Sequence, residues 1–404
     1  MRILISTKFY YHKGGACIHA SELEKLLKSK GHEVAFFAMQ HPLNKPSDYS
    51  AYFPSEVDYS KRNLQNLKEQ LLRPLFSYEV KRKFKALLHD FKPDLVHVHN
   101  IHSQLSPIIV KEAWKVKIPV VWTLHDYKLL CPRYDCRRND KPCELCFTDK
   151  KNVVLYHCMK NSLPASLLAY AEAIIWNRVK LSGYTTQFIC PSEFIRQKMI
   201  SGGFNKDQLT TINNFFNADK LNVVQQGKEN YYCYVGRLSQ EKGVETLLKA
   251  AIELPRYHLK IIGTGPLYDY FIKRYNFPHI EFCGHKPGNE VQELLSKAVF
   301  SVIPSEWYEN NPLSIIESLS MGTPVLGAEI GGIPELITEN VNGFLFESGN
   351  LLDLRDKIEY FWGKGIHLID NNEIANISGK RFSSEIYYEK LLKVYRNAKG
   401  DLDM

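Results

Sequence analysis

Two glutamates flank a predicted helix start in the second half of the chain. Glu309 precedes Asn311 and Pro312, and Glu317 follows them inside the predicted helix. Asn is a favoured helix cap and Pro is favoured at the first helical position, so we expect the helix to begin at Pro312. The helix start would then lie between two carboxylates, one placed to meet a sugar and the other the hydroxyls of a ribose.

The same helix start is suited to bind an anion. The backbone N–H groups of Leu313 and Ser314 have no acceptor within a helix that starts here, and the helix dipole adds positive charge. Two cations, Arg237 and Lys242, follow a predicted strand, at the strand end where open α/β sheets bind ligands. These groups predict a diphosphate site, because the cations neutralise the charge that bond cleavage loads onto a leaving diphosphate. Two glutamates alone would be solvated surface charges, so the prediction depends on the cations beside them.

The elements that must position these residues alternate along the chain. Short β-branched runs alternate with longer helical segments, which is typical of βαβ units and parallel sheets. The series starts at 2–6 and starts again at 232–235, after an Asn-rich passage at 213–217. Because 404 residues exceed one ordinary core, we expect two Rossmann-like, doubly wound parallel-sheet domains of the α/β class, facing across a cleft. The predicted bounds are 1–213 for the N-terminal domain, 218–380 for the C-terminal domain, and 381–404 for a helix that crosses back to the N-terminal domain.

A set of motifs occurs in a fixed order along nearly the whole chain. The set comprises Gly14-Gly15, Thr123-Leu124-His125-Asp126, 236–243, 262–266, 309–317 and 331–335. In these motifs the chain resembles the family-4 glycosyltransferases, retaining enzymes of the GT-B fold that use nucleotide sugars. The resemblance implies transfer of a hexose or N-acetylhexosamine from a nucleoside-diphosphate sugar, with UDP as the expected nucleotide. It also implies a glycan or lipid-linked acceptor in the synthesis of a bacterial envelope polysaccharide.

The resemblance assigns roles to individual residues. Glu309, at the donor sugar, and His125, which reaches the transferred sugar, are the expected catalytic residues. The family's front-face substitution lets the leaving phosphate take the acceptor proton, so we expect neither a protein nucleophile nor a catalytic metal. The residues expected to bind the donor are Gly15, Arg237, Lys242, Gly265, Lys286, Asn311, Leu313, Ser314 and Glu317.

Five of the nine cysteines lie close together in the first half of the chain, within a predicted insertion at 131–158. Cys143 and Cys146 form a C-x2-C knuckle, and Cys131 and Cys158 flank it at equal intervals. Four thiolates at this spacing predict a structural zinc site, with Cys136 as an alternative to Cys131. Some bacterial family-4 members are similar here. The alternative is a set of reduced thiols in an insertion loop.

Three histidines near the end of a predicted strand also contain metal-ligand atoms. His97, His99 and His102 lie around the strand 95–99. Histidines near a cleft are more often hydrogen-bonded within the structure than bound to metal, and we interpret them in that way.

The net charge of +8 is a mild excess, and much of it lies at 61–85, where basic residues alternate with Leu and Phe. This stretch predicts either peripheral contact with an anionic membrane or a solvated helix. Because this charge excess is small and the sequence contains no nucleic-acid-binding motif, we do not expect nucleic acid as a partner. With no long apolar run and no signal-peptide pattern, we expect a cytoplasmic protein, peripheral on the inner face of the plasma membrane if the stretch binds lipid.

Two other functions are compatible with these residues. The first is another enzyme of the same fold, a sugar-nucleotide epimerase or a glycan phosphorylase, since a fold does not determine its reaction. The second is a non-catalytic subunit that binds a sugar nucleotide.

Overall fold

The computed structural model describes residues 1–59, 69–216 and 227–400. The chain divides into two compact units. The first unit contains Met1–Arg138, Cys143–Ile212 and Tyr388–Met404, and the second contains Asn139–Pro142 and Asn213–Tyr387. Each unit has its own six-stranded sheet.

The first unit has a parallel sheet in the order β2-β1-β3-β4-β7-β8. Its strands are almost continuously buried, as expected for a sheet covered by helices on both faces. The strands of this unit and the short strands near residue 140 are β1 (Arg2–Ser6), β2 (Glu33–Phe37), β3 (Leu95–Val98), β4 (Val120–Thr123), β5 (Arg137–Arg138), β6 (Lys141–Pro142), β7 (Gln187–Cys190) and β8 (Leu209–Thr211).

The helices of the first unit begin at polar residues in several cases. Ser77, Ser162, Asn177 and Ser192 each accept a hydrogen bond from a backbone N–H of the first helical turn. The helices are α1 (Gly15–Ser29), α2 (Tyr78–Phe91), α3 (Ile108–Lys115), α4 (Asn152–Leu155), α5 (Leu163–Ile175), α6 (Arg178–Tyr184) and α7 (Glu193–Ser201).

The second unit has a parallel sheet in the order β11-β10-β9-β12-β13-β14. This is the strand order of a dinucleotide-binding sheet, in which successive strands are added outward on one side from β9 and on the other side from β12. We call the place between β9 and β12 the reversal point of the sheet. Its strands are β9 (Tyr231–Val235), β10 (His258–Ile262), β11 (Ile280–Gly284), β12 (Ser301–Ile303), β13 (Val325–Ala328) and β14 (Gly343–Phe346). Its helices are α8 (Val244–Ile252), α9 (Tyr268–Arg274), α10 (Gly288–Lys297), α11 (Leu313–Ser320), α12 (Leu351–Gly363) and α13 (Asn371–Arg381).

The C-terminal helix α14 (Ser384–Lys399) enters the first unit at Tyr388. There the hydroxyl of Tyr388 lies 2.8 Å from Nε2 of His32, and the hydroxyl of Tyr395 lies 2.6 Å from Nδ1 of the buried His97. The two six-stranded parallel sheets confirm the predicted α/β class with two doubly wound domains.

Candidate functional site

The reversal point of the second sheet brings two loops together. The chain leaves β9 at Val235 and turns toward one side, while it leaves β12 at Ile303 and turns toward the other. In open α/β sheets the crevice between two such strand ends is where ligands bind. The loops 236–243 and 304–312, which contain predicted site residues, begin at these two strand ends.

A lysine and a glutamate from these two loops form an ion pair. Nζ of Lys242 lies 2.6 Å from Oε1 of Glu309, and the hydroxyl of Ser305 donates to the same oxygen at 2.7 Å. The Glu309 side chain is 8% exposed and that of Lys242 is 25% exposed. Lys242 also lies 5.2 Å from the centre of the Trp307 ring. The pair is therefore a mostly desolvated charge pair that keeps one side open.

The pKa of Glu309 is shifted by opposing effects. Burial raises the pKa of the carboxyl, but the positive charge of Lys242 and the hydrogen bonds from Lys242 and Ser305 lower it by more. The net result is a pKa below the ordinary value of Glu. Glu309 is consequently an ionised carboxylate at neutral pH, able to accept hydrogen bonds from hydroxyl groups.

Two glycines allow the loops to approach this closely. Gly331 has φ +63°, and a Cβ there would lie 2.3 Å from the backbone oxygen of Glu309. Gly243 has φ +64°, and a Cβ there would lie 1.8 Å from the backbone oxygen of Pro304. The N–H of Gly332 donates to the same Glu309 oxygen at 2.8 Å. Any side chain at position 331 or 243 would displace the backbone that holds Glu309.

Helix α11 starts one residue later than predicted. Pro312, in an extended conformation, is the cap, and the first helical residue is Leu313. The predicted cap residue, Asn311, is used elsewhere: its Oδ1 accepts from the N–H of Asn214 and its backbone oxygen accepts from Nδ2 of Asn214, both at 2.8 Å. The prediction of an Asn311 cap was wrong because a residue distant in sequence captures that side chain. Leu313 and Ser314 still occupy the first turn and are half-buried, and anion binding by their N–H groups stays a prediction.

The remaining donor-site predictions have different surroundings. Arg237 is exposed, and its backbone oxygen accepts from the hydroxyl of Tyr234 at 2.9 Å. Gly265 packs against the loop that contains Arg237, since a Cβ there would lie 2.3 Å from the backbone oxygen of Leu238. Glu317 is half-buried on α11. Nζ of Lys286 pairs instead with Glu290, Oε2 lying 3.0 Å away.

The reversal point of the first sheet, between β1 and β3, has a different chemistry. His19 on α1, His99 after β3 and His125 after β4 place their ring nitrogens within 4.8 Å of one another. Nδ1 of His99 lies 2.9 Å from Nε2 of His125. We call these three residues the histidine group. His19 was not singled out from the sequence, because only the fold brings it beside His125.

Burial keeps the histidine group uncharged. Desolvation lowers the pKa of His19 to about 4, and desolvation with the neighbouring imidazoles lowers the pKa of His99 and His125 well below the ordinary value. His97, stacked 4.4 Å from His99, lies 2.7 Å from the hydroxyl of Thr123, and its pKa is lowered to about 3 by burial. The expectation that His97 is hydrogen-bonded within the structure is confirmed.

Within the three described ranges, the histidine group is the one set of three or more possible metal ligands at mutual distances of 4.8 Å or less. Its closest nitrogens, 2.9 Å apart, are nearer than the roughly 3.3 Å that separates two nitrogens on one tetrahedral zinc with bonds of about 2.05 Å. The His99–His125 distance is that of a hydrogen bond. The arrangement therefore favours a hydrogen-bonded pair beside His19.

Gly14 and Gly15 lie at the start of α1, the helix that also contains His19. Gly15 is the first helical residue and is exposed, and a Cβ at Gly14 or Gly15 would meet no protein atom within 4 Å. The protein itself therefore leaves open space at these positions. Packing within the protein therefore does not explain glycine at these positions, whereas the close approach of a ligand to the backbone would explain it.

The cysteines of the insertion make thiol contacts. The thiols of Cys136 and Cys146 donate to the sulfur of Cys131, which lowers the Cys131 pKa well below its ordinary value. Cys143 and Cys158 are half-buried, and the N–H of Cys143 donates to the backbone oxygen of Cys136 at 2.7 Å. Zinc held by Cys131, Cys143, Cys146 and Cys158 stays a prediction.

The basic stretch 61–85 is only partly a surface. Its first residues, 61–68, lie outside the described residues. Arg73 is fully buried and pairs with Glu69 at 3.2 Å and Glu79 at 3.1 Å, so the prediction that it belongs to a basic surface was wrong. The paired carboxylates compensate its buried charge. In the described part of the chain, no helix has both the length and the apolar character required to cross a bilayer.

Two family models match the chain. The model described as Glycosyltransferase Family 4 matches residues 13–220, about half of the chain, and the model described as Glycosyl transferases group 1 matches residues 217–378.

Known proteins resemble the chain over its whole length. An uncharacterized glycosyltransferase of Methanocaldococcus jannaschii is 25% identical over 100% of this chain and 99% of its own length. An uncharacterized 42.6 kDa protein in the cps region of Klebsiella pneumoniae is 26% identical over 98% of this chain and 99% of its own. The crystal structure of HepE from Anabaena in complex with UDP-glucose superimposes with a TM-score of 0.68 at 17% identity, covering 98% of this chain and 100% of that one, and so shares the fold.

Proposed function

The chain belongs to glycosyltransferase family 4, and from that premise we propose that it moves a hexose or N-acetylhexosamine from a UDP-sugar to a glycan or lipid-linked acceptor with retention of configuration. The observation that carries the proposal is the Lys242–Glu309 pair at the reversal point of the second sheet, beside the start of α11. A desolvated anion, a cation and free helix N–H groups in one crevice match the hydroxyls and the diphosphate of a nucleotide sugar.

The diphosphate would be held by positive charge from three sources. Lys242 is partly exposed and can turn from Glu309 toward a phosphate, while Arg237 is exposed at the end of β9. The N–H groups of Leu313 and Ser314 complete the set. Because these groups supply the charge that the leaving diphosphate needs, the proposed reaction requires no catalytic metal.

Glu309 would orient the donor sugar. An ionised carboxylate that Ser305 holds in place accepts hydrogen bonds from sugar hydroxyls without itself changing protonation. Glu317, on the helix that starts beside it, is proposed to accept from the ribose hydroxyls. In the first unit, Gly15 and His125 are the residues we propose to touch substrate.

The proposed chemistry is front-face substitution. The bond between C1 of the sugar and the diphosphate oxygen breaks, and the bond from C1 to the acceptor oxygen forms on the same face. The acceptor proton passes to the departing phosphate oxygen, so the protein needs no nucleophile. What the protein contributes is charge stabilisation and orientation.

The finer assignments follow from the relatives. UDP is proposed because HepE, which shares the fold, was crystallised with UDP-glucose. A role in an envelope polysaccharide is proposed because a relative of similar length is encoded in a Klebsiella pneumoniae cps region. We further propose that the enzyme works in the cytoplasm.

A nucleotide panel tests the proposal. Thermal unfolding is measured with UDP, GDP, ADP and their hexose and N-acetylhexosamine conjugates, since a ligand that binds only the native state raises its stability. We expect UDP and one UDP-sugar to raise the Tm of the wild-type protein and to raise it less in Arg237→Ala. Release of UDP with a free sugar in the absence of acceptor, and no epimer in the recovered donor, would separate a transferase from an epimerase. Failure of every nucleotide to shift the Tm would refute the donor site.

A further inference from the structure

Helix α5 in the first unit has its polar and apolar faces reversed. Its outward side chains are apolar: Leu163 is 45% exposed, Leu167 48%, Ile174 47% and Ile175 38%. Leu163, Leu167 and Ile174 recur at helical spacing and share one side of the helix, with Ile175 at its edge. We call these four residues the α5 face. An ordinary surface helix exposes charged residues and buries such a face.

The polar residues of the same helix point inward. Glu172 is buried, pairs with Nζ of Lys128 at 2.9 Å and accepts from the N–H of Ser103 at 3.2 Å. Ser166 is buried and accepts from the N–H of Met159 at 3.1 Å. These contacts fix the rotation of the helix, because turning the α5 face inward would leave a carboxylate without its buried partner.

The apolar surface extends beyond α5. The indole N–H of Trp176, just after the helix, lies 3.1 Å from the backbone oxygens of Pro74 and Leu75. This contact brings the segment 71–76 to the end of α5, and there Leu71, Leu72 and Phe76 are each nearly half exposed. Exposed apolar side chains therefore lie on α5 and on the segment that contacts its end, and such a grouping indicates an interaction surface.

The exposed charges of the segment 151–184, which contains α5, have a single sign. Between Lys151 and Tyr184 the sole acidic residue is Glu172, which is buried against Lys128. The exposed charged residues of this segment are Lys151, Lys160, Arg178 and Lys180. A second copy of the chain would bring the same positive charges into a symmetric interface, which disfavours self-association. An apolar helix face flanked in its own segment by exposed positive charges matches an anionic lipid bilayer.

We propose that the α5 face is a membrane-docking surface, on which Leu163, Leu167 and Ile174 enter the headgroup region of an anionic bilayer while Arg178 and Lys180 contact lipid phosphates. The α5 face lies outside the predicted basic stretch at 61–85, and the surface overlaps that stretch at its edge, in the segment 71–76. Docking does not depend on the donor site, so its test stands apart from the test of transfer.

Vesicle binding by the full chain tests this surface. The protein is floated with vesicles of phosphatidylcholine alone and with vesicles of phosphatidylcholine mixed with phosphatidylglycerol. We expect binding to the mixed vesicles, weakened by salt, and little binding to phosphatidylcholine alone. The double variant Leu167→Glu/Ile174→Glu should lose at least about tenfold in binding, because each substitution removes an apolar side chain that the bilayer would cover.

A matched control carries the same change of charge elsewhere. Val341 and Leu352 are 44% and 57% exposed in the second unit, and Val341→Glu/Leu352→Glu should bind the mixed vesicles like wild type. Both double variants should keep the wild-type Tm, since the altered side chains are exposed. If the α5 variant does not fold, Arg178→Gln/Lys180→Gln provides the same test through the lipid phosphates.

Three results would overturn the proposal. The first is wild-type protein that does not float with mixed vesicles. The second is equal binding by the α5 variant and the control. The third is a lipid-free dimer, seen by sedimentation velocity, that Leu167→Glu/Ile174→Glu converts to monomer, which would assign the α5 face to a second copy of the chain.

Discussion

The strand order reverses at equivalent places in the two sheets, and the polar side chains buried there differ in charge. In the second unit the crevice holds ionised groups, Lys242 and Glu309, which compensate each other. In the first unit it holds His19, His99 and His125, which burial keeps neutral. A desolvated site needs either a paired charge or no charge, and the chain uses one solution in each unit. The charged crevice suits a diphosphate and the neutral crevice suits hydroxyl groups.

The largest expected effect comes from removing the negative charge of the pair. Glu309→Gln keeps the shape of the side chain but weakens acceptance from donor hydroxyls, and it frees Lys242. We expect kcat/KM to fall by about 100-fold or more, with the Tm little changed. The fall in kcat/KM is measured by initial-rate kinetics with the best donor from the nucleotide panel. Near-wild-type kinetics would show that the charged crevice is structural.

Removing the other charge tests whether the pair is a coupled unit. Lys242→Met leaves Glu309 as a buried carboxylate without its cation, and we expect a loss of about 3 kcal/mol in the free energy of unfolding. Adding Glu309→Gln to this variant should restore part of the loss, because the uncompensated charge is gone. Urea unfolding of the wild type, the two single variants and the double variant forms a double-mutant cycle and gives the coupling energy between Lys242 and Glu309. Additive losses would mean that the two groups do not interact in solution.

The glycine that supports Glu309 should be sensitive to a single methyl group. Gly331→Ala places a Cβ against the Glu309 backbone at positive φ, and we expect a loss of about 2 kcal/mol in stability together with weaker donor binding. Gly363→Ala is the control, since a Cβ there meets no atom within 4 Å and φ is not positive. Equal Tm values for the two variants would contradict the observed contact.

Acid should distinguish the two crevices. The folded pKa values of His19 and His97, about 4 and about 3, lie below the ordinary histidine value, so the unfolded chain binds protons first as pH falls. The contribution of each such histidine to the free energy of unfolding is therefore fully present above about pH 6.5 and is lost below it. The loss is about 2 kcal/mol per histidine between pH 7 and pH 5. The lowered pKa of Glu309 contributes stability that is lost only below the ordinary Glu value.

The measurement is urea unfolding from pH 7 to pH 4, for the wild type and for His19→Gln. The variant should lose less stability than the wild type between pH 7 and pH 5. Parallel pH curves for the two proteins would mean that His19 already carries its proton or stays exposed.

The smallest expected effect is at Lys286. Its Nζ is paired with Glu290 on the surface, so Lys286→Ala should leave the Tm unchanged, as is usual for an exposed ion pair. A raised KM for the donor in this variant would indicate that Lys286 leaves Glu290 to meet the base. An unchanged KM would contradict the expectation from the sequence that Lys286 binds the donor.

Much of the fold could be predicted because its signals are local. The alternation of β-branched runs and amphipathic segments reports the parallel sheets, since each strand buries both of its faces. The helix start beside the candidate site was predictable to within one residue, because the conformational limits of Pro312 act locally. The prediction failed where a distant partner intervenes, as when Asn214 captures Asn311.

The sequence alone determined the α/β class and the two series of strands, and it predicted the residues proposed to hold a diphosphate. These follow from periodicity and from the conformational limits of Pro and Gly, which act over a few neighbouring residues. Only the tertiary structure decided that Lys242 meets Glu309, that His19 joins His99 and His125, that Arg73 is buried, and that α5 turns its apolar side outward. Each of these depends on burial and on partners far along the chain, because the cost of burying a charge is set by what lies beside it in space.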